Sequence, residues 1–317
     1  MDIAAATGNL IAMIARTLYL HIGLPKTGST FLQQQLFSKL NDMKVVSMPS
    51  DSYFHDGSST ANSGNRLLGS IFRRSDTVWQ HEPDRLLDHL LGSGWQEDER
   101  DILLSDEAIG RQASRQGLFA AHLVAMQDAL HRRGIEQMKI LCLFRRQDHW
   151  LMSHYVQMSD RNRHAGQADA DAFIRRTCDP RQNRFTFGAL LDYAAILTAV
   201  SQVVADEDRV FLPMEWLRTD SRRIGRQLAM FLDREEQSFA LSSADQENVR
   251  RIGKDRWQLR QPPPLARLRN VLVRRCGHVT LNPDMSRLAL ETYRACNRQL
   301  EHQTGIALAP LGYFAQG

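Results

Sequence analysis

The chain has 317 residues, 43% of them hydrophobic and 24% charged, with a formal net charge of +4 and a pI near 9.0. That length suits one large α/β domain with insertions or two small domains, and the composition excludes a disordered or collagen-like chain. The mildly basic balance fits an anionic ligand; because arginines and acids are interspersed, it does not point to nucleic acid. Cys142, Cys178, Cys276 and Cys296 lie far apart with no C-x-x-C pair, so neither a zinc site nor a disulfide framework is suggested, and a reducing cytoplasm is the expected compartment.

Residues 3–15 (IAAATGNLIAMIA) are apolar, but Asp2 stands where a signal peptide needs basic residues and Arg16 ends the run too early for a membrane span. Residues 1–16 are therefore read as an N-terminal extension, residues 17–317 as a single α/β domain, and no stable membrane insertion is expected. Short β-rich runs then alternate with helical patterns, which predicts parallel strands joined by crossover helices. The strands are expected at 17–24 (TLYLHIGL), 44–49, 101–106, 138–145 (MKILCLFR) and 209–214. Helices are expected over 29–40, 115–133, 187–204 and 220–233, the last with Asp220 as N-cap and Ile224, Leu228 and Phe231 on one face. Residues 51–70 are turn-rich and predict a loop, either ligand-gating or a surface insertion; the QPPP run near residue 260 breaks the chain.

The first strand leads into HIGLPKTGSTFL (21–32), which has the outline of a phosphate-binding loop without being a Walker A loop. Gly23 and Gly28 keep the Walker glycine spacing, but the lysine has moved inside the loop to Lys26, and Ser29 and Thr30 follow the second glycine. Successive amides at a helix start, with hydroxyls beside them, favour an anion. An ammonium at Lys26 can neutralise charge on a transferred group or its leaving oxygen. With 35 arginines and only 5 lysines in the chain, a lysine at this position stands out. A second candidate follows the strand MKILCLF. It ends in Arg145, and Ser153 comes eight residues later, so a guanidinium fork and a hydroxyl meet at the edge where open α/β sheets bind ligands.

PKTGST after a strand, together with Arg145, Ser153 and Tyr155 after a later one, resembles the two cofactor motifs of sulfotransferases that use 3′-phosphoadenosine 5′-phosphosulfate (PAPS). FGALLDYAAIL, VFLPMEWLRTD and YRACNRQLEHQTG resemble later stretches of bacterial members, so the likeness touches most of residues 17–312. The resemblance implies a three-layer α/β/α fold with a central parallel sheet, related to the P-loop NTPases. It implies PAPS as donor, adenosine 3′,5′-bisphosphate as product and no metal. Lys26 would contact the 5′-phosphate and the bridging oxygen of the donor, in a loop opened by Pro25, and Thr27, Gly28, Ser29 and Thr30 would cradle the 5′-phosphate. Arg145 and Ser153 would hold the 3′-phosphate. Gln147 and His149 depart from the proline and acid that family members often have there, which leaves the local turn and the role of Arg146 open. VRRIGKDRW (249–257) is loosely similar to the segment that closes over the 3′-phosphate, with Arg251 and Gly253 matching; a solvated basic loop is the alternative.

Sulfuryl transfer to a hydroxyl needs in-line positioning, charge neutralisation and a proton acceptor. ILLSDEAIG places Asp106 and Glu107 at a strand end. Glu107 is the expected base because the family supplies a His or Glu at a comparable position, and because strand alternation would put it on the face of Ser105; a capping or salt-bridged carboxylate is the alternative. The expected acceptor is a carbohydrate, glycolipid or small molecule. A P-loop nucleoside or small-molecule kinase, and a non-catalytic nucleotide- or sulfated-glycan-binding module, are the competing readings.

Overall fold

The computed structural model describes residues 16–47, 71–92, 94–183, 187–235, 239, 251–253, 255–260 and 277–316. The expected extension (apart from Arg16), the loop at 51–70 and the QPPP break lie outside the described residues.

Five parallel strands form the central sheet: β1 (Arg16–Ile22), β2 (Lys44–Ser47), β3 (Ile102–Asp106), β4 (Ile135–Phe144) and β5 (Arg209–Pro213), in the spatial order β2-β3-β1-β4-β5. Helices flank it, which makes the three-layer α/β architecture. The inner strands read as near-continuous apolar runs because a parallel sheet is covered on both faces; Leu18, Leu20, Ile22, Leu103, Leu104, Ile140 and Leu141 are all buried. β4 starts three residues before the expected strand, since Ile135 is drawn in to pair with Arg16.

Register sets the position of the site. Ile22 lies beside Asp106, and His21 beside both Ser105 and Leu141, so β1, β3 and β4 finish at one edge. The residues that follow them are the 23–28 loop, Glu107 and Arg145. After the loop, the expected helix over 29–40 is three tighter and wider turns in series: α1 (Ser29–Phe31), a π-helical turn (Leu32–Leu36) and a 3₁₀ turn (Phe37–Lys39). The helix that opens β3's crossover is α2 (Glu107–Gln112), followed by α3 (Gln116–His131).

β4 feeds α4 (Gln147–Met158), which α5 (Gln167–Cys178) follows. The helix expected over 187–204 is a 3₁₀ turn (Gly188–Leu191) and then α6 (Tyr193–Ser201). Asp192 interrupts it by accepting a hydrogen bond from Ala195 N, a cap that starts a new helix. α7 (Ser221–Phe231) is capped by Asp220 through Arg223 N, with Ile224, Leu228 and Phe231 buried, as the sequence predicts. A small antiparallel sheet of β6 (Arg251–Gly253), β7 (Arg256–Gln258) and β8 (His278–Thr280) precedes α8 (Pro283–Thr292) and α9 (Arg294–Thr304).

The first turn of α4 is fixed by buried polar pairs to the C-terminal helices. Gln147 Nε2 donates to Asn297 Oδ1 at 2.7 Å and Asn297 Nδ2 donates back at 3.2 Å, and Asn297 Nδ2 also donates to the Tyr313 carbonyl at 2.9 Å. Asp148, fully buried, accepts from Arg146 Nη2 at 2.6 Å and from Ser286 Oγ at 2.6 Å. Burial alone would raise the Asp148 pKa; the Arg146 hydrogen bond, the nearby charges of His149 and Arg146 and the Ser286 hydroxyl outweigh it and hold the carboxyl below its usual range. A depressed carboxylate contributes stability that is present above its unfolded pKa, about 3.9, and lost as pH falls through the lower folded value. Asp148→Asn is accordingly expected to cost about 2–4 kcal/mol at pH 7 in urea unfolding, with the gap to the wild type closing below about pH 4. A gap that stayed constant with pH would mean that the charge contributes nothing.

Candidate functional site

Residues 23–28 make a compact loop whose carbonyls are committed inward. The Leu24 carbonyl accepts from Thr27 Oγ1 at 2.7 Å, the Pro25 carbonyl from the Trp150 indole N–H, and the Lys26 carbonyl from Arg145 Nη1 at 3.1 Å. Because a trans peptide holds C=O and N–H antiparallel, the amides of Lys26 and Thr27 point the opposite way, out of the concave side of the loop. Lys26 has φ of 66° and Gly28 φ of 95°. Left-handed residues of this kind turn successive amides into an anion-binding nest, and for a lysine the conformation is strained. Ser29 Oγ is buried and has no hydrogen-bond partner among the described residues, as expected of a hydroxyl whose acceptor is a ligand.

Two glycines let the neighbouring helix close onto this loop. A Cβ on Gly23 would lie 2.6 Å from Ser29 Oγ and 3.1 Å from Glu107 Cγ, so the Glu107 side chain lies against the loop beside Ser29. A Cβ on Gly110 would lie 2.3 Å from the Gly23 carbonyl oxygen. β3 ends at Asp106, and Glu107 is the first residue of α2. Its direction is therefore set by the helix start, and strand alternation does not reach it. Behind it, Ser105 Oγ is held by His21 Nδ1 at 2.7 Å and by Gln33 Nε2 at 3.0 Å, with Gln33 reaching back from the π-helical turn. Burial drops the His21 pKa to about 3, so that ring is neutral.

The second expected segment meets the loop through α4. Besides the Arg145 and Trp150 contacts, Ser153 lies half-buried three residues beyond Trp150 and so on the same helical face. Arg146, whose role the sequence leaves open, is the buried Asp148's ion-pair partner and bonds Glu215 Oε1 through its amide at 3.0 Å. His149 faces Asp255 (Nε2 to Oδ1 3.7 Å) and the edge of Trp257, so the β6–β7 hairpin packs on the helix that carries Ser153. The backbone of Arg251 lies in that hairpin; its side chain is outside the described residues. Sequence reasoning missed Trp150 and Gln33. Trp150 had a legible signal, since a buried indole N–H needs an acceptor.

A cleft of about 310 Å³ runs along β5, lined among others by Arg209, Phe211, Trp216, Arg223 and Gln303. It shares no residue with the loop, α4 or Glu107. Its arginines are engaged, Arg209 with Asp206 and Arg223 over the Trp216 ring.

No family model matches the sequence, and no curated protein matches it. In structure the chain is similar to the sulfotransferase from Alicyclobacillus acidocaldarius, with a TM-score of 0.55 at 14% identity, covering 94% of this chain and 99% of that one. The sulfotransferase domain from the Synechococcus PCC 7002 olefin synthase aligns over 90% of this chain and 94% of its own, at 11% identity and a TM-score of 0.42. The fold is thus that of a sulfotransferase, and at such identity the likeness is one of fold.

Gly110→Ala should force α2 off the loop and cost about 1–3 kcal/mol of stability in urea unfolding. Unchanged stability would mean that the loop and α2 are less tightly joined than the contact requires.

Proposed function

We propose that the chain is a PAPS-dependent sulfotransferase that moves the sulfuryl group to a hydroxyl or amine of a carbohydrate, glycolipid or small-molecule acceptor. The observation that carries the reading is the loop itself: three successive carbonyls are held inward by Thr27, Trp150 and Arg145, and an ammonium stands on the loop's left-handed residue. In this reading Pro25, Thr27, Gly28, Ser29 and Thr30 shape the 5′-phosphate cradle. Lys26 neutralises charge on the bridging oxygen as the sulfur–oxygen bond breaks. Arg145 and Ser153, with Arg251 from the adjoining hairpin, recognise the 3′-phosphate that separates PAPS from ordinary adenine nucleotides.

Glu107, lying against Gly23 beside Ser29, takes the proton of the acceptor hydroxyl as its oxygen attacks sulfur in line with the departing phosphate. Adenosine 3′,5′-bisphosphate leaves. The transferred sulfuryl group carries less charge than a phosphoryl group, so a lysine suffices where a kinase relies on magnesium.

Two substitutions test the roles separately, in an acceptor screen with labelled PAPS alongside calorimetry with adenosine 3′,5′-bisphosphate. Lys26→Ala should lower turnover far more than it lowers affinity for the bisphosphate, as expected of a group acting in the transition state; equal losses would remove that role. Glu107→Gln should reduce turnover by about 10²–10⁴-fold with little change in bisphosphate affinity, and an unchanged rate would mean that the base lies elsewhere. Phosphoryl transfer from ATP with Mg²⁺, with no use of PAPS, would favour the kinase instead.

A further inference from the structure

His154 occupies an unusual place for a core residue. It lies one turn beyond Trp150 on α4, and the two rings stack with centroids 4.8 Å apart and planes 7° from parallel. Trp150 is the residue whose indole N–H holds the Pro25 carbonyl, so the imidazole lies one helical turn from the point where α4 touches the loop. Phe187 packs on it at 4.2 Å and Phe173 at 6.2 Å. The side chain is 3% exposed, yet neither Nδ1 nor Nε2 has a hydrogen-bond partner among the described residues.

Leaving two ring nitrogens unmet in an aromatic pocket is costly. If stacking were the only task, a phenylalanine would perform it without that penalty. Ser29 Oγ, in the loop itself, is likewise buried without a hydrogen-bond partner among the described residues. One oxyanion seated in the loop would be a partner for both.

We infer that His154 is a ligand-contacting residue, whose ring N–H donates a hydrogen bond to an oxygen of the phosphate or sulfuryl group held by the 23–30 loop. The inference rests on reading that loop as an oxyanion site. The electrostatics agree: burial, and then the positive charges of Arg111 and Lys26, depress the His154 pKa to about 3. At neutral pH the ring is therefore an uncharged imidazole with one donor and one lone pair. Such a ring can hydrogen-bond an oxyanion without adding a third positive charge beside Lys26 and Arg111.

The test uses the full chain and pyrophosphate as probe. Calorimetric affinity is measured for the wild type, His154→Phe and His154→Gln, with thermal unfolding of each. His154→Phe keeps the stack and removes both nitrogens. It should bind pyrophosphate about 10–100-fold more weakly, the loss of one hydrogen bond to a charged group, with a melting temperature equal to or above that of the wild type. His154→Gln should recover part of the affinity, because its amide restores a donor. In 15N-histidine spectra of the wild type, the ring signal absent from His154→Gln should move on adding pyrophosphate. If the wild type binds pyrophosphate and His154→Phe binds it equally well, the histidine is packing alone and the inference is overturned with the loop reading intact. If the wild type itself does not bind pyrophosphate, the loop reading and the inference fail together.

Discussion

The arrangement of the site depends on where three carbonyl groups point. A loop can offer amides to an anion only if the opposite ends of its peptides are satisfied elsewhere, because a buried carbonyl without a donor is costly. Here the donors come from three sources of different reach: a hydroxyl inside the loop, an indole from α4 and a guanidinium from the end of β4. Each is a side chain, so the loop conformation is written into Thr27, Trp150 and Arg145 as much as into its glycines. The left-handed φ of Lys26 follows from this constraint. Two adjacent peptides must turn their carbonyls to the protein side, and the residue between them absorbs the turn at a cost of order 1–3 kcal/mol.

The same logic makes α4 a hub. Its successive residues are each committed to a different part of the chain: Gln147 to Asn297 of α9, Asp148 to Arg146 and to Ser286 of α8, His149 to Asp255 and Trp257, and Trp150 to the loop. Glu215 continues the pattern, accepting from the Arg146 amide and from Tyr313 at 2.8 Å, which ties the turn after β5 to the C-terminal segment. Burial pushes the Glu215 pKa up, against these two hydrogen bonds. A helix held at its first turn by partners distant in sequence cannot shift along its axis without breaking several buried polar pairs. The positions of Trp150, Ser153 and His154 relative to the loop are fixed as a group.

The sequence carried the strand positions well, because buried parallel strands are apolar runs whose ends are marked by charged or turn residues, as with TLYLHIGL and MKILCLF. It also carried the cap at Asp220, a local event between a side chain and an amide three residues on. What it could not carry were outcomes decided by distant partners. The π-helical turn after the loop coincides with Gln33 reaching Ser105, 72 residues away. Gln147 and His149 read as departures from a familiar pattern until Asn297 and Asp255 are seen beside them; their chemistry is that of packing at a junction.

Glu107 shows the limit most clearly. Strand alternation was the wrong geometry for it, since β3 stops one residue earlier, yet its side chain still lies against the loop. The reason is found in glycine. Gly110 carries no side chain toward the Gly23 carbonyl, and Gly23 carries none toward Ser29 and Glu107, so α2 and the loop approach to a distance that a Cβ on Gly110 would forbid. A one-dimensional reading sees a motif glycine and, 87 positions on, another with no assigned role. In three dimensions they are one contact, and that contact sets the Glu107 side chain against the loop, the pre-organisation that the proposed proton transfer would need.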